Sequence, residues 1–151
     1  MKSDNRKSFL EFKVIWKDDE LIELKITATN VNFGGTTEVY DESESLTELA
    51  MLLTDFPNTN ETLFYEMGEK ESYSYFSMRL YSIDSSGHIG LEINIESNVT
   101  TEYRLEEKNK LKLEIIVEPN AIDNFQRELL HLAKNEEGVA VLYGNDNRLN
   151  N

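Results

Sequence analysis

Leu21 to Tyr40 reads Leu-Ile-Glu-Leu-Lys-Ile-Thr-Ala-Thr-Asn-Val-Asn-Phe-Gly-Gly-Thr-Thr-Glu-Val-Tyr. Ile22, Leu24, Ile26 and Ala28 alternate with Glu23, Lys25, Thr27 and Thr29. A period of two gives one apolar and one wet face only in an extended strand. Asn30 to Gly35 reads as the turn, because Gly34 and Gly35 take positive φ without steric cost and Asn tolerates it. Thr36 to Tyr40 then returns antiparallel to the first strand.

The same reading extends in both directions. Phe9 to Trp16 predicts a strand with Leu10, Phe12, Val14 and Trp16 on one face, followed by the charged turn Lys17 to Glu20. From Asp41 to Thr54 the period changes. Leu46, Leu49, Ala50 and Leu53 form one helical stripe, with Ser45 as N-cap and Glu48 completing a capping box. Phe56 reads as a core plug before Pro57, which enforces the stop. Strands are expected over Glu61–Met67, Tyr73–Ile83, Ile89–Glu96 and Leu111–Val117, with Thr101–Leu105 extending the arm between the last two. Asn120 caps a second expected helix with the stripe Ile122, Phe125, Leu129, Leu132 and Ala133. Gly138 follows its end, and Val139–Tyr143 reads as a last short strand. These elements predict an α+β fold: an antiparallel sheet of six to eight strands with two helices packed on one face. The chain reads as a single domain over residues 1–151, with a core over 9–143 and flexible ends at 1–8 and 145–151.

Acids outnumber bases 29 to 15, giving a net charge of −14. Such a field repels nucleic acid and anionic membranes and favours a basic partner. No apolar run is long enough to span a membrane, and no apolar segment follows Lys2 as a secretory signal would require. With cysteine absent, these points favour the cytoplasm.

No catalytic, cofactor or metal motif is present. His88 and His131 lack partners at metal-ligand spacing, Gly34-Gly35 lacks the spacing of a phosphate loop, and no serine sits in a nucleophile elbow. The carboxylates are too many to select a catalytic pair. Two acidic turns, Asp18-Asp19-Glu20 and Asp41-Glu42 with Glu44, are natural contacts for a basic protein. Tyr73, Tyr75 and Tyr81 share a strand face with Arg79, and Tyr and Arg are enriched at binding hot spots. A flat surface there would suit a protein. A concave one would suit a small ligand or carbohydrate.

The order of landmarks is itself informative. Asp18-Asp19-Glu20-Leu21 leads to the hairpin with Asn32-Phe33-Gly34-Gly35. The helix with Leu46, Leu49, Ala50 and Leu53 runs into Phe56-Pro57, and Ser86-Gly87-His88-Ile89-Gly90 opens a strand. Leu111-Lys112-Leu113-Glu114-Ile115 then feeds the helix with Ile122 and Phe125. Over roughly residues 9–134 this resembles a family of small bacterial domains that includes WapI-type immunity proteins of polymorphic toxin systems. The resemblance implies a cytoplasmic antitoxin that binds and blocks a toxin domain, a basic one where the toxin is a nuclease. It carries over no site residue. An edge strand could also pair across a two-fold axis, so a homodimer is compatible with the sequence.

Overall fold

A computed structural model describes residues 7–56, 62–70, 73–98 and 109–145. Eight strands and two helices follow in the order β1 (Phe9–Lys17), β2 (Ile22–Thr29), β3 (Gly34–Asp41), α1 (Ser43–Asp55), β4 (Leu63–Gly68), β5 (Ser74–Ser82), β6 (Ile89–Ser97), β7 (Lys110–Val117), α2 (Pro119–Asn135) and β8 (Val139–Tyr143). The α+β class and antiparallel pairing are as expected. The strands, however, are divided between two four-stranded sheets, β3-β2-β1-β8 and β4-β5-β6-β7. Each passage between the sheets is a helix: α1 leads from β3 to β4, and α2 from β7 to β8. Period-two alternation identifies strands but does not say which strands pair, so the division was not visible in the sequence.

The sheets share one core. β3 touches all four strands of the second sheet, so it runs across them. The Phe12 ring meets Phe76 of the second sheet edge-on at 5.3 Å and Phe125 of α2 at 5.5 Å. The stripes Leu46, Leu49, Ala50, Leu53 and Ile122, Phe125, Leu129, Leu132 are buried, and Phe56 plugs the core as expected. α1 packs on α2, and α2 on β8.

Several local expectations are corrected. The β2–β3 turn is built by Asn30, whose Oδ1 accepts the N–H groups of Asn32 and Phe33 at 3.2 and 2.9 Å. The positive φ falls on Val31, at 83°, an uncommon place for a β-branched residue. Gly34 and Gly35 instead open β3, where a Cβ on Gly35 would come within 3.0 Å of Leu111. α1 begins two residues before Ser45, with Glu42 at its cap position. The Ser45 hydroxyl donates to Asp41 Oδ1 at 2.7 Å, and that oxygen also accepts the Glu42 N–H at 2.7 Å. In α2 the cap position is Glu118, and Pro119, which has no N–H to leave unsatisfied, is the first helical residue. Asn120 therefore lies inside the helix. Ser8 is buried, and its carbonyl accepts the Gly144 N–H at 2.9 Å. The Asn145 N–H donates to the Ile116 carbonyl at 2.6 Å. Ser8 and Asn145 are thus hydrogen-bonded to neighbouring backbone. The expected arm Thr101–Leu105, Pro57, and the remaining end residues 1–6 and 146–151 lie outside the described residues.

Candidate protein-binding surfaces

The register of the first sheet brings the two acidic turns together. Lys17 pairs with Ile22, and Ile22 with Asp41. The β1–β2 turn with Asp18, Asp19 and Glu20 therefore sits at the same end as Asp41, Glu42 and Glu44. Two of these carboxylates hold backbone. Asp18 Oδ1 accepts the N–H groups of Leu21 and Glu20 at 2.7 and 2.8 Å, which hold its pKa below the usual carboxylate range. Asp41 ties the start of α1 in the same way. Asp19, Glu20, Glu42 and Glu44 are exposed, and no ion pair among the described residues reaches any of the six.

Trp16 joins this end, against expectation. A register shift between Val14 and Trp16 turns its side chain away from the face of Leu10 and Phe12, and it pairs with Glu23. A one-residue bulge exchanges inward for outward positions. Glu23 in turn pairs with Tyr40. The Trp16 and Tyr40 rings meet edge-on at 5.9 Å while staying 46% and 57% exposed. Strict alternation hid this pair, although Lys17-Asp18-Asp19-Glu20 directly after Trp16 signalled an edge of the core.

The tyrosine face is only partly as expected. Tyr75, Arg79 and Tyr81 do lie on the outer face of the second sheet, but Tyr75 is buried. Its hydroxyl donates to Glu66 Oε1 at 2.8 Å, and Lys70 Nζ lies 5.8 Å from its ring centroid. Tyr81 covers Gly90, donates to Glu114 and carries the Arg79 guanidinium 5.5 Å from its ring centroid. Burial first, and the neighbouring carboxylates second, raise the Tyr81 pKa; burial is also the main cause of the upward shift at Tyr75. Glu92 is held by Arg79 at 3.3 Å and Lys112 at 3.6 Å. Lys70, Tyr75, Arg79, Glu92 and Lys112 line an open hollow of about 580 Å³ with Phe64, Ser77 and Asn94. Tyr75, buried at its floor, offers no free ring for a sugar to stack on.

Tyr73 is separated from the other two tyrosines. It precedes β5, is 71% exposed, and lines a second hollow of about 670 Å³ with Thr36, Glu38 and Tyr40 of β3 and with Gly68, Glu69, Ser74 and Ser97. Among the described residues no lysine or arginine lines this hollow, whereas Lys70, Arg79, Lys110 and Lys112 line the first.

The imidazole of His88 lies 2.9 Å from Asp84 in an exposed turn, and His131 is exposed on α2. Among the described residues no group of three His, Asp or Glu side chains is placed to hold a metal ion, and no helix is long and apolar enough to cross a membrane. No family model, curated protein or solved structure matches the chain.

Proposed function

We propose that this chain is a non-catalytic protein-binding module that neutralises a basic partner domain, in the manner of the immunity proteins it resembles. The observation that carries this reading is the convergence of Asp18–Glu20 and Asp41–Glu44 at one end of the first sheet, beside the exposed Trp16–Tyr40 pair. The acids supply a field that accelerates encounter with a basic surface. The aromatic pair supplies rigid area of the residue types that dominate binding energy. Asp18 and Asp41 also tie backbone, but the carboxylates of Asp19, Glu20 and Glu42 make no hydrogen bond among the described residues, and both rings are about half exposed.

The test is co-expression with the products of the genes that flank this one, basic products first, scored by growth and by isolation of a complex. The expected result is rescue of growth and a stoichiometric complex that weakens by about tenfold or more as salt is raised, since exposed charges are screened. Growth arrest with no complex would refute the reading. A complex insensitive both to salt and to Trp16→Ala with Tyr40→Ala would move the contact elsewhere.

A further inference from the structure

We infer that the outer edge of β3 takes an extended, basic segment of the partner polypeptide as an added strand of the first sheet. The inference rests on the protein-binding reading for the source of the segment, and on the sheet itself for the seat.

Each sheet has two edges, and they are treated differently. On β7 the outward carbonyls of Glu114 and Ile116 accept from Asn30 Nδ2 at 3.3 Å and the Asn145 N–H at 2.6 Å. On β8 the outward N–H of Val141 donates to Glu128 Oε1 at 2.8 Å. Covering edges in this way blocks stray strand pairing. On β3 the even positions point outward, because Gly35, Thr37 and Val39 pair with β2 in continuation of the Asn30 N–H to Phe33 carbonyl bond. Among the described residues no hydrogen bond reaches the backbone N–H or C=O groups of Thr36, Glu38 and Tyr40. Among the described residues no hydrogen bond reaches the outward backbone groups of β4 either, but the hollow runs along β3.

That hollow lies between β3 and the β4–β5 end of the second sheet, with room beside the open edge. An added strand would satisfy the outward groups of β3 and place its side chains beside those of β3 on the same face. A position next to Glu38, with Glu69 also lining the hollow, calls for lysine or arginine. Positions near Tyr40 and Tyr73 call for apolar or aromatic groups. Among the described residues the lining carries carboxylates and no cation, and Asp41 and Glu42 follow Tyr40 directly. The same charge disfavours a second copy of this acidic chain as the occupant.

The probe is an eight-residue peptide alternating lysine with valine, compared with a twin N-methylated at alternate backbone nitrogens. The twin keeps the charge and loses the ability to pair as a strand. Binding to the full chain is followed by amide NMR and hydrogen exchange. The expected result is slowed exchange at Thr36, Glu38 and Tyr40 with the parent peptide and binding at least tenfold weaker with the twin. Glu38→Pro, which removes an outward N–H without breaking the β2 ladder, should weaken the parent by a similar factor. Equal binding of both peptides, binding by neither, shifts confined to the Arg79 hollow, or concentration-dependent protection of β3 without peptide would each overturn the inference. Neutralisation of the partner with unchanged exchange at β3 would remove the strand and leave the proposed function standing. Strand addition without neutralisation would do the reverse.

Discussion

Gly90 and Tyr81 provide a test of whether the tyrosine face is structural. The two residues are cross-strand partners, and a Cβ on Gly90 would fall 2.3 Å from Tyr81 Cε2 and 2.6 Å from Cζ. Gly90→Ala therefore forces the ring to move, disturbing its bond to Glu114 and its contact with Arg79. Overpacking of this kind costs about 1–3 kcal/mol. Removing glycine from a strand interior returns about 0.5–1 kcal/mol. Taking the middle of each range, the net expectation is a loss of about 1 kcal/mol in the wild-type background. With Tyr81→Ala already in place the obstruction is gone, and the same Gly90→Ala change is expected to stabilise by about 0.5–1 kcal/mol. The effect thus changes sign, with a coupling of about 2 kcal/mol between neighbours. Urea unfolding of the four proteins measures it, provided the slope m is common to all. The same sign in both backgrounds, or a coupling below about 0.5 kcal/mol, would show that the ring does not rest on Gly90.

Phe12→Ala removes the ring that meets both Phe76 and Phe125, and a loss of about 3–5 kcal/mol is expected. Calorimetry should show Tm lower by about 6–20 °C, and a loss under about 1.5 kcal/mol would mean that the sheets do not close through this residue. Glu128→Ala leaves the Val141 N–H without its acceptor. Hydrogen exchange at Val141 should accelerate about tenfold, while Ala140 and Leu142, which bond to β1, keep their protection. Asp18 is held low by the Leu21 and Glu20 N–H groups, and Asp84 by the Ser86 N–H and then by His88. A lowered folded pKa gives stability that is complete above the unfolded value near ~3.9 and is lost as pH falls through the folded value. Acid unfolding followed below about pH 4 should therefore be less steep in Asp18→Ala with Asp84→Ala than in the wild type; identical profiles would mean that the two turns do not hold their carboxylates.

Periodicity revealed those parts of the fold that depend on neighbours in the chain. The stripes of α1 and α2 and the alternation in β2, β5 and β6 follow directly from it. What it missed depends on events that periodicity does not encode. The bulge near Ile15 turns Trp16 outward. Asn30 builds the turn, which leaves Gly34 and Gly35 to a strand where other residues approach closely. Asp41 ties Ser45 from outside the helix, so a capping pattern was present without the cap. The candidate site shows the same division. Tyr75, Arg79 and Tyr81 share a face as alternation requires, but alternation cannot say that Tyr75 would be covered. Both acidic turns were visible as composition, whereas their meeting at one end depends on the β1–β2–β3 register. The open edge of β3 was beyond reach, because an uncovered hydrogen-bonding group is a property of the assembled sheet.

The fold also sorts the charge. On the second sheet Glu92 faces Arg79 and Lys112. Paired charges project little field. At the end of the first sheet, Asp18 and Asp41 meet backbone N–H groups, and Asp19, Glu20 and Glu42 meet solvent, so their charges add. The field that steers a partner thus leaves from this end, beside the mouth of the β3 hollow. Steering acts on the rate of encounter, and strand pairing acts on the lifetime of the complex. The two should separate in kinetics with the basic partner. Neutralising Asp19, Glu20 and Glu42 to Asn and Gln should lower the association rate and flatten its salt dependence while leaving dissociation nearly unchanged. Glu38→Pro should leave most of the association rate and speed dissociation about tenfold, the value of roughly one lost hydrogen bond near 1.4 kcal/mol. If both variants altered the same rate constant, the acidic end and the β3 edge would be one contact, and the division into a steering end and a seating edge would fail.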